Sequence, residues 1–162
     1  MAKPLHPLLN TELPLIQAPM AGSQGARLAI AVSEAGGLGS LPCAMLSPEG
    51  LRNELATLRR QTRKPWNLNF FCHREAAPDA AREQAWREML EPYHREYGTQ
   101  PGAAASGRAP FSEQLADLVE EGGASGLPKV VSFHFGLPDQ RLLARIRIWG
   151  STLLATATTV AE

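Results

Sequence analysis

Residues Leu15–Ser40 read LIQAPMAGSQGARLAIAVSEAGGLGS, and this stretch decides the fold class. A short apolar run at Leu15–Ile16 predicts a strand, and a turn of small residues follows it directly. A helix is predicted next, because apolar residues recur at i, i+4 and i+7: Leu28, Val32 and Ala35. Gly36–Gly37 predict the end of this helix, and Leu38–Leu41 predict a second strand. A strand, a helix and a strand in this order form the opening βαβ unit of a parallel α/β protein.

The alternation of strands and helices continues along the rest of the chain. Further strands are predicted from three runs rich in apolar and β-branched residues: Trp66–Phe71, Lys129–Phe135 and Thr152–Thr158. Helices are predicted between the strands, beginning near these residues: Ser47, Asp79, Ser112 and Asp139. A stretch rich in Gly, Ala and Pro, residues 98–111, predicts a surface loop insertion. Strands joined by helices form a parallel sheet. Two folds contain such a sheet: the doubly wound α/β fold and the TIM (β/α)8 barrel.

The polar residues of the later strands favour the barrel. Side chains two residues apart share one face of a strand. Towards the C-terminal ends of three strands, one face carries polar side chains: Asn67 and Asn69, Ser132 and His134, Thr156 and Thr158. In a TIM barrel this face lines the mouth where active sites lie, so we expect an α/β chain with the TIM (β/α)8 fold.

Composition excludes several classes of partner. The chain has 16 basic and 16 acidic residues, so its formal net charge of zero gives no electrostatic footprint for nucleic acid or an anionic membrane. No apolar run is long enough to span a bilayer. Two cysteines, Cys43 and Cys72, provide no disulfide framework, and a cytoplasmic location is expected. The spacing of Cys and His residues matches no zinc pattern, so no metal site is expected.

The last four residues, Thr159–Glu162, read TVAE and fit the capping box T-x-x-E that starts a helix. The pattern is short enough to arise by chance. Otherwise it predicts that a further helix begins here and that the sequence stops before the fold is complete.

Five motifs resemble, in chain order, the first five strand ends of the nitronate monooxygenases, formerly called 2-nitropropane dioxygenases: PLIQAPM, AGGLGSL, NLNFF, VVSFHFG and ATATT. The resemblance implies an FMN-dependent TIM barrel. A complete barrel takes about 250 residues, so residues 1–162 are expected to be the N-terminal part of a single FMN-binding barrel domain, with about its first five βα units.

The resemblance also implies where the catalytic base lies. In the family the catalytic histidine follows strand six, and the turns that bind the FMN phosphate follow strands seven and eight. These strands would come after the five predicted here. The resemblance therefore implies that no catalytic residue lies within this chain and that the base lies beyond Glu162.

The same resemblance implies candidate binding residues. The family's turn after the first strand lies against the flavin ring, which assigns Ala18, Pro19 and Met20 to the cofactor. An asparagine that contacts FMN matches Asn69, and His134 is expected to face the mouth, where it would bind an anionic nitronate. Taken without the resemblance, the residues are also compatible with an ordinary turn, a buried asparagine bonded to backbone and a core histidine.

The function implied by the resemblance is the FMN-dependent oxidation of alkyl nitronates, such as propionate 3-nitronate, by O2 to carbonyl compounds and nitrite. Two alternatives stay open: a flavin-dependent NAD(P)H reductase of the same barrel class, and a truncated remnant without catalysis. The glycines of residues 36–39 lie between a helix and a strand, which is the wrong context for a dinucleotide-binding fingerprint. An incomplete barrel has open sheet edges, so self-association is also expected.

Overall fold

The computed structural model describes residues 5–74, 77, 79–102 and 109–160. These residues form two compact units, one within residues 1–73 and 109–162 and the other within residues 74–108. The first unit contains the sheet, and the second contains a long charged helix.

Helices and strands alternate as the sequence predicts. The described α-helices are, in chain order, α1 (Leu5–Leu9), α2 (Ala26–Glu34), α3 (Pro48–Gln61), α4 (Ala80–Glu96), α5 (Glu113–Glu120) and α6 (Gln140–Ile148), and a short 3-10 helix spans Ala124–Gly126. The strands are β1 (Gly39–Pro42), β2 (Trp66–Phe71), β3 (Val130–His134) and β4 (Thr152–Ala155). Four predicted helix starts are confirmed, because the side chain of each N-cap residue accepts a backbone N–H of the first turn: Ser47, Asp79, Ser112 and Asp139.

The four strands form one parallel sheet in the order β1-β2-β3-β4. Sheet order follows chain order, whereas a doubly wound sheet reverses its order at a switch point. Helices α2, α3, α5 and α6 all pack on the same face, where one continuous core forms. The strands contribute the following buried residues to this core: Leu41, Trp66, Leu68, Phe70, Val131 and Phe133. A sheet that grows without reversal and carries its helices on one face is the wall of a (β/α)8 barrel.

The first predicted strand is present only as a single parallel bridge between Ile16 and Leu38. The amide of Leu38 donates to the carbonyl of Leu15 at 2.8 Å, and the amide of Gln17 donates to the carbonyl of Leu38 at 3.0 Å. The ladder stops here because Pro19, the next residue due to donate, has no N–H. The expected parallel pairing is therefore found, but a full strand is not.

Helix α2 packs on β1 through small residues: Ala26, Ala29 and Ser33. The apolar spacing of Leu28, Val32 and Ala35 predicts the helix correctly but not its buried face, since Leu28 is 38% exposed. Gly39 gives the physical reason. A Cβ atom at Gly39 would lie 1.8 Å from the carbonyl oxygen of Ala29, so helix and strand approach too closely for large side chains to fit between them.

The opposite face of the sheet, here called the inner face, is apolar near the N-terminal ends of the strands. Leu9 of α1 packs there against Leu38, Val130 and Leu154. Towards the C-terminal ends the same face carries the polar side chains described below.

The last predicted strand is shorter than expected, since β4 ends at Ala155. The amide of Thr156 still donates to the carbonyl of Phe133 at 3.2 Å. Glu162, which closes the predicted capping box, lies outside the described residues. The helix start at Thr159–Glu162 therefore stays a prediction, and so does the expected place of the catalytic base beyond Glu162.

The chain leaves the sheet after β2 and returns to it at the same place. The amide of Phe111 donates to the carbonyl of Phe71 at 2.8 Å, and the Phe111 ring packs on Phe70 with centroids 4.6 Å apart. Within the segment between them, α4 has no buried residue. Residues 103–108 of the predicted surface loop lie outside the described residues.

Candidate functional site

Four polar side chains, here called the polar belt, are hydrogen-bonded across the inner face of β1, β2 and β3. Asn67 Nδ2 donates to Ser40 Oγ at 3.0 Å and to Ser132 Oγ at 2.9 Å. Asn69 Nδ2 donates to Ser132 Oγ at 3.0 Å. Ser40, Asn67 and Asn69 are all buried. The predicted shared face of the two asparagines is confirmed, because both reach the same hydroxyl.

Two buried amide oxygens have no hydrogen-bond partner among the described residues: Asn67 Oδ1 and Gln24 Oε1. An acceptor left unpaired inside a protein costs about 1–3 kcal/mol. Such atoms mark places where a donor from a ligand, or from another part of a protein, would be stabilising.

Two glutamine side chains hold the turn that follows the Ile16 bridge. Gln17 Oε1 accepts from the amide of Ser40 at 3.0 Å, and Gln24 Nε2 donates to the carbonyl of Ser40 at 3.0 Å. Both glutamines also donate to the carbonyl of Ala18, at 2.6 Å and 3.4 Å. These bonds replace the ladder that Pro19 interrupts, and they fix the turn beside β1.

The candidate cofactor residues lie in this turn and in β2. Ala18 and Met20 are exposed, Pro19 is half-buried, and Asn69 is buried in register with Pro42 of β1. Hydrogen bonds join the turn to the polar belt, because Ser40 is a partner of Gln17, Gln24 and Asn67. The sequence-derived cofactor candidates therefore belong to one connected structure.

A concave cavity of about 660 Å³ lies at the C-terminal ends of β3 and β4. It is lined by His134, Phe135, Gly136, Leu137 and residues 155–158. His134 Nδ1 and Thr156 Oγ1 are 2.6 Å apart. The histidine thus lies in a cavity wall with one ring nitrogen already hydrogen-bonded.

Sequence reasoning did not single out Phe135, which is prominent at this cavity. Its φ of 65° lies in the left-handed region, which a bulky residue adopts at a cost of about 1–3 kcal/mol. The side chain is nevertheless 65% exposed, and its ring meets that of Phe71 edge-on at 4.9 Å. The pair Phe135–Gly136 directly after a strand is the sequence signal that could have drawn attention to it, since Gly136 also has a positive φ.

Neither the two thiols nor the possible metal-binding side chains of the described residues form a second candidate site. Burial raises the pKa of Cys43, and it raises the pKa of Cys72 to about 11, so neither thiol is activated. Among residues 5–74, 77, 79–102 and 109–160, no group of three or more His, Cys, Asp and Glu side chains is placed to hold a metal ion. Within the same ranges, none of the helices is long and apolar enough to cross a bilayer.

Comparison with known proteins gives the family. A model of the nitronate monooxygenase family matches residues 2–162. A nitronate monooxygenase of Paraburkholderia phytofirmans is 43% identical over 98% of this chain. The chain belongs to the nitronate monooxygenase family. A nitronate monooxygenase of Pseudomonas aeruginosa is 40% identical over 96% of the chain, which spans 43% and 44% of the lengths of these two relatives.

Solved structures give the fold. A nitroalkane oxidase from Streptomyces ansochromogenes superposes with a TM-score of 0.80 at 34% identity, over 99% of this chain and 44% of that one. The M276A mutant of FabK from Thermotoga maritima superposes with a TM-score of 0.64 at 23% identity, over 98% of this chain and 40% of that one, and shows the fold alone. The α/β fold expected from the sequence is confirmed, and this nitronate monooxygenase-family chain forms part of a TIM barrel.

Proposed function

We propose that the chain is the N-terminal part of an FMN-dependent nitronate monooxygenase, which oxidises alkyl nitronates to carbonyl compounds and nitrite with O2. One observation carries the proposal: in a chain of this family, hydrogen bonds through Ser40 join the turn beginning at Ala18 to a polar belt on the inner face of a barrel wall. Active sites of such barrels lie at the C-terminal ends of the strands, and Asn69 of the belt and the cavity lie towards these ends.

The residues proposed to hold FMN are Ala18, Pro19, Met20 and Asn69. Ala18 is small and exposed, so a flat ring can approach the backbone of the turn there. The side-chain amide of Asn69 can donate and accept hydrogen bonds, which suits the polar edge of a flavin ring. The chemistry that bound FMN supplies is electron transfer from the nitronate to O2.

His134 is the residue proposed to bind the nitronate. It lines the cavity, and an imidazole N–H can donate to the oxygens of an anionic nitronate group. The family resemblance assigns the catalytic base to a position beyond Glu162, so the proposed role of His134 is binding and orientation.

The test compares the 162-residue chain with the complete reading frame of its gene. We expect the complete protein to purify with FMN and to consume O2 when propionate 3-nitronate is added. Asn69→Ala weakens FMN affinity about tenfold, the value of one buried hydrogen bond. The matched control is Asn53→Ala on the exposed side of α3, which leaves FMN affinity unchanged.

Two results would contradict the proposal. The first is a complete protein without flavin and without nitronate-dependent O2 uptake. The second is rapid NADH oxidation with no response to nitronates, which identifies a flavin-dependent reductase instead.

The remaining proposals concern the whole molecule. We infer that residues 1–162 are the N-terminal part of a single barrel domain, with a surface insertion at about residues 98–111. A zero formal net charge and free thiols at Cys43 and Cys72 support a cytoplasmic protein without nucleic-acid or membrane partners. Among the described residues β4 has no strand on its outer side, which supports self-association through that edge.

A further inference from the structure

We propose that Thr156 is a positioning residue, whose hydroxyl donates to Nδ1 of His134 and thereby keeps the ring proton on Nε2. The two side-chain atoms are 2.6 Å apart, which is a short hydrogen bond. The part of this inference that concerns the substrate rests on the proposed function, whereas the hydrogen bond and its effect on the ring do not.

The backbone of Thr156 is positioned independently of the histidine side chain. The amide of Thr152 donates to the carbonyl of Lys129 at 2.9 Å, and the amide of Thr156 donates to the carbonyl of Phe133 at 3.2 Å. The parallel ladder between β3 and its neighbour therefore extends to Thr156, past the end of β4. Because the backbone of Thr156 is held beside β3, its hydroxyl starts within hydrogen-bonding reach of the His134 ring.

Two aromatic rings further restrict His134. The Phe71 ring lies at 6.1 Å and the Phe135 ring at 6.3 Å from the imidazole, both at steep interplanar angles. These rings flank the imidazole while Nδ1 faces the Thr156 hydroxyl, so Nε2 is the nitrogen left for a ligand.

The chemistry of imidazole turns this orientation into a preference for anions. A neutral imidazole has one protonated nitrogen and one nitrogen with a lone pair. If Nδ1 accepts a hydrogen bond from the Thr156 hydroxyl, the ring proton must be on Nε2. The Nε2–H group can then donate a hydrogen bond to an anionic oxygen. The other tautomer would direct a lone pair at the anion, which is repulsive. Thr156 thus makes His134 a hydrogen-bond donor even when the ring is neutral.

Long-range ¹H–¹⁵N NMR spectra test the inference directly, because they distinguish a protonated ring nitrogen from one with a lone pair. The spectra are recorded on the 162-residue chain at alkaline pH, where imidazole is neutral. We expect His134 in the native chain and in Thr156→Ser to carry its proton on Nε2. Thr156→Val keeps the shape of the side chain without the hydroxyl, and should give a mixture of both tautomers.

A matched control uses the same chemical change at the other end of the same strand. Thr152→Val is expected to leave the His134 signals as they are in the native chain. A native chain with the proton on Nδ1 overturns the inference, whether or not any variant folds. A Thr156→Val spectrum identical to the native one overturns it as well.

Turnover separates this inference from the proposed function. In the complete protein, Thr156→Val should raise KM for propionate 3-nitronate about tenfold with a smaller change in kcat, because one charge-assisted hydrogen bond loses its orientation. Thr156→Ser should restore the native KM. If the complete protein oxidises no nitronate, the proposed function fails, while the tautomer measurement still decides the role of Thr156.

Discussion

At the scale of single residues, Gly39 has the least room for a side chain among the described glycines. A Cβ atom there would lie 1.8 Å from the carbonyl oxygen of Ala29, which is backbone and cannot rotate away. We expect Gly39→Ala to reduce the free energy of unfolding by about 3 kcal/mol or more, because α2 must move off β1. Urea denaturation measures this change. Gly102→Ala is the control, since nothing lies within 4 Å of that position, and an equal effect of both substitutions would show that the steric explanation is wrong.

A second prediction concerns Gln17, whose side chain replaces a backbone hydrogen bond of the ladder beside β1. Gln17→Ala removes the acceptor of the buried Ser40 amide, so we expect a loss of about 1–3 kcal/mol in the free energy of unfolding. FMN affinity of the complete protein should fall too, because the carbonyl of Ala18 also loses a donor. The exposed Gln61→Ala is the control for both measurements. Unchanged stability would mean that water satisfies the Ser40 amide.

Sequence reasoning at this scale succeeded where it depended on strand periodicity. The alternation of side chains placed Asn67 and Asn69 on one face, and the structure has them there, both bonded to Ser132. It did not foresee Gln17 and Gln24, because a side chain that replaces ladder bonds depends on three-dimensional proximity to Ser40. The missing N–H of Pro19 was visible in the sequence, but not which groups would compensate for it.

At the scale of elements, α5 and α6 are joined by one arginine. Arg145 of α6 binds three carboxylates of α5, with distances of 2.7 Å to Glu113, 2.5 Å to Asp117 and 2.7 Å to Glu120. The indole N–H of Trp149 also donates to Glu120 at 2.6 Å. The hydrogen bond from Arg145 holds the pKa of the Glu120 carboxyl below its usual value.

This arrangement predicts how stability depends on pH. A carboxyl whose pKa is lowered by folding stabilises the protein above its unfolded pKa, which is about 4.3 for glutamate, and the stabilisation disappears as the pH falls through the folded pKa. Arg145→Met should therefore cost on the order of 1–2 kcal/mol near pH 7 and progressively less below about pH 4. Urea denaturation of both proteins between these pH values measures the difference.

The matched control for this prediction is Arg52→Met. Arg52 pairs with Glu121 at 3.0 Å and also lowers the pKa of its carboxyl, but both side chains are about half exposed. Such solvent-exposed pairs contribute little, so we expect Arg52→Met to lose much less stability than Arg145→Met. Equal and pH-independent losses in the two variants would contradict the role given to Arg145.

Predictability differed among the helices for physical reasons. The start of helix α3 was foreseen, because Ser47 at the N-cap is a local signal, and the structure buries Leu51, Leu55 and Leu58 of this helix. The buried face of α2 was not foreseen. Which face a helix buries depends on how close its partner strand comes, and here Gly39 of β1 decides it.

At the scale of the whole molecule, the outer edge of β4 leads to a prediction about association. Among the described residues this edge has no strand beside it, and Ala155 on it is exposed. We expect the 162-residue chain to form oligomers whose size grows with concentration, since open edges pair with other strands. Sedimentation velocity measures this directly.

Substitution tests whether the edge is responsible. Ala155→Lys should shift the chain towards monomers, because a charge on an edge strand opposes pairing. Ala81→Lys on α4 adds the same charge at another exposed position and should leave association unchanged. A native chain that stays monomeric at every concentration would rule out the expected self-association.

The fold of the whole chain was predictable to the extent that order along the chain determines order in space. Strands alternating with helices gave a parallel sheet, and the polar C-terminal ends favoured a barrel, which the sheet order β1-β2-β3-β4 and the solved relatives confirm. The cavity at β3 and β4 was only partly foreseen. His134 was named from its strand position, whereas Phe135 adopts a left-handed backbone, which a bulky residue rarely does.

The hydrogen bond between the amide of Phe111 and the carbonyl of Phe71 has a consequence for how this chain can vary in length. Because the two residues meet at 2.8 Å, everything between them is a closed excursion whose ends are fixed by the sheet. The entropy of closing such a loop changes slowly with its length. Residues 74–108 should therefore tolerate deletions, replacement by another segment or insertion of a foreign peptide. None of these changes should alter the register of β2 and β3.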